Sequence, residues 1–132
     1  IINESLIDFS DFFPTICEAA GIKLNSNLDL DGVSFYNQLM GQDGPKRKWI
    51  HSWYSRGGGS SMNDETFEWV RNETYKFYRG NRFYNVKKDP NEKNKLSWNQ
   101  MTQEERKIQQ EFSNVLKSYN SLRNNTRINE SL

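Results

Sequence analysis

Cysteine, histidine and proline are scarce in this 132-residue chain, which has one Cys, one His and three Pro. A lone Cys17 cannot close an internal disulfide, and one Cys with His51 cannot assemble a zinc site from soft ligands. An excess of one charge is missing too. Eighteen Lys and Arg against 17 Asp and Glu leave a formal net charge of +1, which gives no electrostatic footprint for nucleic acid or an anionic membrane. No apolar run approaches the roughly 18 residues of a membrane-spanning helix, and no basic stretch leads into an apolar one at the N-terminus. The expectation is a soluble chain with no nucleic-acid or membrane partner. Aliphatic residues are few: Leu, Ile, Val and Phe supply 29 of 132 residues, close to the roughly 20% below which highly charged chains stay disordered. The chain opens on Ile1, as expected of a fragment or a processed form.

Aromatic residues make up the difference, with 8 Phe, 6 Tyr and 4 Trp, so a core must rest on rings. Phe13, Ile16, Cys17 and Ala20 recur at helical spacing, Pro14 is tolerated only in a first turn, and Gly21 is a natural stop. These predict a helix starting near Ser10 or Asp11, with Cys17 as a small core residue. Ser34 is a candidate N-cap for a second short helix over 35–40, closed by Gly41. Beyond the turn-rich GQDGPKRK segment the period becomes two, predicting a strand over 48–55 with Trp49, His51 and Trp53 on one face. RGGGSSMND reads as a flexible loop over 56–64. Strands are predicted over 67–71, 75–79 and 82–86, joined near Asn72-Glu73 and by the hairpin dipeptide Gly80-Asn81. Asp89-Pro90-Asn91 ends the sheet. Thr102 and Glu105 form a capping box for a helix over 103–122, with Ile108, Phe112, Val115, Leu116, Tyr119 and Leu122 in one stripe. The tail over 124–132 should fray, and its INESL repeat of residues 2–6 is too short to define a structural repeat.

The fold class is therefore α+β: a four-stranded antiparallel sheet packed against a long C-terminal helix, with two short N-terminal helices. Three segments follow: an N-terminal helical segment over 1–45, an α+β subdomain over 46–123 and the tail. Each strand carries large side chains on both faces, whereas a freely solvated antiparallel sheet alternates cleanly. One face is covered by helices, and the other is expected to meet another domain or chain, a homodimer included.

Catalytic chemistry is thin. Nucleophilic catalysis needs a base within reach of the nucleophile, and Cys17 and His51 lie far apart in sequence and in different predicted elements. The Gly57-Gly58-Gly59-Ser60-Ser61 run lacks the Lys of a phosphate-binding loop. Asn27, Asp29, Asp31, Gly32 and Gln38 approach a calcium-loop template, but the bidentate Glu at its last position is missing. Glycosylation sequons at Asn3, Asn72, Asn124 and Asn129 are expected by chance among 16 Asn. No catalytic residue and no metal ligand is assigned.

Three segments in order resemble the C-terminal end of the sulfatase family, the alkaline-phosphatase-like hydrolases of sulfate esters. SLIDFSDFFPTICEAAGI over 5–22 carries the family-like Asp-x-x-Pro-Thr pattern at Asp11, Pro14 and Thr15. LDGVSFYNQLMG over 30–41 resembles its Asp-Gly-x-Ser segment, and ETYKFYRGNRFYNVKKDPNEKNKL over 73–96 its paired strands and Asp-Pro-x-Glu turn. The likeness spans roughly residues 5–120. It implies a C-terminal subdomain docked on a larger α/β catalytic domain, which is the implied partner and lies outside this sequence. It also implies a parent enzyme that uses calcium and formylglycine, neither of which this chain can supply: Cys17 is not in a CxPSR-type motif, and the paired metal-binding aspartates have no counterparts. The chain alone is expected to be inactive. The segment WIHSWYSRGGGSS occupies the position where family loops border the substrate pocket, so Arg56, Trp53 and Tyr54, with His51 a lesser candidate, are the expected substrate-binding residues. Arg56 could pair with a sulfate or carboxylate, and an aromatic could stack on a sugar. By analogy the parent's substrate is a sulfated carbohydrate. The alternative is a free-standing binding module that uses an exposed aromatic sheet face.

Overall fold

The computed structural model describes residues 2–55 and 66–120. Arg56, the Gly-rich loop, Leu122, the tail with its INESL repeat, and the sequons at Asn124 and Asn129 lie outside the described residues. The chain divides into two units, Ile1–Ile50 and His51–Leu132.

In the first unit a 3₁₀ turn over Phe9–Asp11 leads directly into helix α1, Phe12–Ala19. Asp8 starts the turn by accepting from the Ser10 amide at 3.0 Å, while Asp11 Oδ2 accepts from the Asp8 amide at 2.8 Å, a reciprocal cap that satisfies the helix's free N–H groups. Pro14 falls in the first turn of α1, where its missing N–H costs nothing. Helix α2 is Tyr36–Leu39, shorter than the predicted 35–40. Ser34 sits one residue before its N-cap position, yet its hydroxyl still accepts from the Tyr36 amide at 3.2 Å. Gly41 follows with φ 73°, a left-handed stop.

The face that α1 buries differs from the one its hydrophobic spacing predicts. Phe13 is 53% and Ile16 63% exposed, while Asp11, Pro14, Thr15 and Cys17 are buried. Of these inward residues, Asp11 and Thr15 make hydrogen bonds inside the unit. Thr15 Oγ1 donates to the Asp11 carbonyl at 2.6 Å and accepts from the Phe35 amide at 3.1 Å. The apolar stripe is left outward, with Phe9 at 89% exposure extending it.

The second unit is a four-stranded antiparallel sheet in the order β1-β2-β3-β4, with strands Ile50–Ser55, Thr66–Arg71, Tyr75–Tyr78 and Arg82–Asn85. Predicted strand 48–55 begins two residues late, so Trp49 lies outside it. The register pairs Val70 with Phe77 and Phe77 with Phe83, bringing three apolar side chains into line on one face. All three are essentially buried, with Phe112 and Leu116 of helix α3, Gln103–Ser118, buried alongside. Asn72 makes the β2–β3 turn by accepting from the Thr74 and Tyr75 amides at 2.9 and 2.7 Å. Gly80 and Asn81 close the next hairpin with φ 96° and 62°, the positive values that this dipeptide tolerates. Thr102 and Glu105 cap α3 reciprocally, as the sequence predicts. The 3₁₀ turn Trp98–Gln100 was not predicted. No described helix is long and apolar enough to cross a membrane.

Phe83 lies at the centre of this core, with Tyr75 stacked at 5.2 Å and Phe77 edge-on at 6.1 Å. Phe83→Ala is expected to destabilise the second unit by about 3–5 kcal/mol, measured by urea unfolding followed through tryptophan fluorescence. Phe67→Ala, at a 46% exposed position, should change stability by less than about 1 kcal/mol.

Candidate functional site

Some of the charge that sequence reasoning leaves on the surface is organised into three clusters. In the first unit, Asp11 is 1% exposed and accepts from the Val33 amide at 2.7 Å and from Arg47 Nε at 2.9 Å. Arg47 Nη2 closes the second arm of the fork on Oδ1 and also donates to the Asp31 carbonyl at 2.8 Å. Burial pushes the Asp11 carboxyl up, but the donors from Arg47, Asp8 and Val33 outweigh it and hold it below the usual carboxylate range. Gly32 passes so close that a Cβ there would collide with the Ser10 carbonyl oxygen. Ser34 Oγ donates to Glu18. The Asp-x-x-Pro-Thr and Asp-Gly-x-Ser segments are thus bound to one another, and their polar residues are structural.

In the second unit, Glu68 is buried on the α3 side of β2. His51 Nε2 faces its Oε1 at 3.0 Å, and Arg79 Nε donates to its other oxygen. Arg79 Nη2 continues to the Leu116 carbonyl at 2.9 Å and Asn120 Oδ1 at 3.0 Å, so a cation meets the C-terminal end of α3. The His51 ring stacks on Tyr119, centroids 3.8 Å apart.

The opposite face of the sheet carries the third cluster. Glu92, held at φ 53° in the Asp-Pro-x-Glu turn, accepts from Lys76 Nζ at 2.7 Å and from the Tyr78 hydroxyl at 2.6 Å. Lys76 lies 4.7 Å from the Trp69 ring centroid, and the Arg82 guanidinium 4.5 Å from that of Tyr78. Burial raises the Glu92 carboxyl, yet the Lys76 and Tyr78 donors bring it below its ordinary value. Tyr84 is buried on this face and Trp69 half-buried, while Phe67 and Tyr54 remain exposed. Large side chains do occupy both faces of the sheet.

Of the four sequence-predicted site residues, Arg56 lies outside the described residues. Trp53 and Tyr54 are 41% and 56% exposed on β1, and strand alternation sends them to opposite faces. His51 shares the α3-facing side and is engaged by Glu68 and Tyr119. The three that are described are therefore not gathered on one face of the strand. No group of three His, Cys, Asp or Glu there could hold a metal ion. Sequence reasoning missed Arg47, Glu68 and Arg79. Glu68 had a signal, since a carboxylate shares a strand face with Val70. Arg47, inside a turn-rich basic segment, had none.

No family model matches the chain, and no curated protein matches it. Solved structures do. A protein from Bacteroides thetaiotaomicron VPI-5482 assigned as a sulfatase superposes with TM-score 0.61 and 25% identity, covering 92% of this chain and 26% of that one. A structure from work on the metabolism of multiple glycosaminoglycans by the same species shares the fold, with TM-score 0.54 and 19% identity over 82% of this chain and 24% of that one. The chain has the fold of a sulfatase subdomain and spans about a quarter of the solved chains it matches.

Arg47→Ala would strand a buried carboxylate, and a loss of about 3–5 kcal/mol is expected in urea unfolding of the first unit. The acid response has a definite sign. Because the folded-state pKa values of Asp11 and Glu92 are depressed, their stabilisation is complete above the unfolded-state values of 3.8 and 4.5. It is lost as pH falls through the folded values. Asp11→Asn together with Glu92→Gln should flatten the fall in thermal midpoint below about pH 4, followed by circular dichroism.

Proposed function

We propose that this sulfatase-related subdomain is the C-terminal part of an enzyme that hydrolyses sulfate esters of carbohydrates, packing on its catalytic domain and bordering the substrate pocket. The observation that carries the reading is the structural likeness: nearly the whole chain corresponds to about a quarter of a sulfatase. The outward stripe of α1 supports it. Phe9, Phe13 and Ile16 are all more than half exposed, and a contiguous apolar patch of this kind marks an interaction site. A catalytic domain is the partner that the missing three-quarters of such an enzyme would supply. Nothing in the comparisons supports the homodimer.

The chemistry belongs to that larger domain. Calcium and formylglycine would act there. Cys17 is buried in α1 and followed by Glu18, and the described residues assemble no cation site. No step of the hydrolysis is assigned to this chain. Its contribution is recognition: Trp53 or Tyr54, exposed on opposite faces of β1, would offer a ring for a sugar face, and Arg56, two positions after Tyr54 in the sequence, a guanidinium for a sulfate. His51, tied to Glu68 and stacked on Tyr119, would hold β1 in position rather than touch substrate.

Two experiments on the full-length enzyme test this. Arg56→Ala should raise KM for a sulfated disaccharide about tenfold or more while leaving kcat within a few-fold. An unchanged KM rejects the role. Phe13→Glu with Ile16→Glu should abolish sulfate release by undocking the subdomain, yet leave the thermal midpoint of this chain alone unchanged, since both positions face water in it. Retention of full activity overturns the docking face.

A further inference from the structure

A groove of about 500 Å³ opens in the second unit where the segment leading into α3 runs beside the helix. Buried Phe77 and Met101 give it an apolar floor. Its walls are neutral and polar: Asn81, Gln109, Gln110 and Ser113 line it, each able to donate and to accept. Lys95 is the single cation, and no carboxylate is among the lining residues. Trp98 stands at the groove 53% exposed, with the Arg106 guanidinium 5.2 Å from its ring centroid. Gln110 Nε2 donates to Asn114 Oδ1 at 3.1 Å, which fixes the amide and leaves its carbonyl oxygen as the acceptor.

We propose that this groove binds a saccharide. The indole would stack on the C–H face of a sugar ring, the amides and the Ser113 hydroxyl would pair with ring hydroxyls, and Lys95 would take a sulfate or carboxylate substituent. Other ligand classes fit the lining poorly. Recognition of a diphosphate or an acidic peptide rests on several charge-assisted bonds, and the lining residues offer one cation, Lys95, since Arg106 lies against the Trp98 ring and is not among them. An aliphatic ligand would leave the amide side chains desolvated and unpaired, at about 1–3 kcal/mol for each group so stranded. A saccharide uses the exposed indole and the neutral polar walls together. None of the β1 residues lines the groove. Its chemistry stands on the lining residues, whereas the choice of a sulfated glycan rests on the sulfatase reading.

The test is a titration of the full chain, observed by nuclear magnetic resonance, with a chondroitin tetrasaccharide in sulfated and desulfated forms. The Trp98 indole N–H and the side-chain amides of Gln109 and Gln110 should shift with both. Trp98→Ala should weaken both interactions about tenfold or more, and its exposed position lets the variant fold, checked by an unchanged thermal midpoint. Lys95→Ala should weaken the sulfated ligand alone. Absence of shifts at these three residues with either saccharide, shifts confined to Trp53 and Tyr54, or affinity that survives Trp98→Ala would each overturn the groove. The sulfatase reading fails differently, through absence of sulfate release by the full-length enzyme, and that result leaves these resonances untouched.

Discussion

A carboxylate taken out of water costs several kcal/mol unless positive charge and hydrogen-bond donors replace its hydration. Asp11 meets that constraint with Arg47 and two backbone amides, and the first unit is organised around how it does so. One oxygen holds the Val33 amide and the other the Asp8 amide, so the start of α1 and the strand-like segment after Gly32 are fixed to the same side chain. Arg47 then ties residue 47 to both ends of this arrangement by reaching Asp11 and the Asp31 carbonyl. Three stretches far apart in sequence meet on one ion pair. Removing either partner would leave a charge with no water to return to.

The second unit repeats the solution with different parts. Glu68 is enclosed between His51 and Arg79, and Arg79 carries the network on to the end of α3. The aromatic core of Val70, Phe77, Phe83 and Phe112 gives the bulk of the burial, but rings alone pack in several ways. The Glu68 network specifies where the helix ends over the sheet. On the far face, Glu92 plays the corresponding part by seizing Lys76 and Tyr78, which converts a surface turn into a latch.

This arrangement gives the family-like motifs a physical meaning. Asp-x-x-Pro-Thr, Asp-Gly-x-Ser and Asp-Pro-x-Glu look like chemical signatures, yet Asp11, Thr15, Ser34 and Glu92 all spend their polar atoms on holding backbone or a neighbouring side chain. What remains available for recognition lies elsewhere: exposed rings on β1, the outward stripe of α1, and the groove at Trp98.

Elements governed by local chemistry were legible in the sequence. Thr102 and Glu105 announced α3, Gly80-Asn81 announced a hairpin, and period-two alternation announced the strands, because capping, positive φ and the pleat act within a few residues. The α+β class followed from their order, and large side chains do lie on both strand faces. The tertiary structure alone decided which polar groups meet. Arg47 pairs with Asp11 across 36 positions and Arg79 with Glu68 across 11, and no local pattern encodes such a match. It decided, too, which side of α1 faces inward: Pro14, Thr15 and Cys17 are buried, whereas Phe13 and Ile16 are exposed. Its apolar stripe was visible as a stripe, but the direction it faces depends on where buried hydrogen-bond partners lie, and those come together only when distant segments fold onto one another.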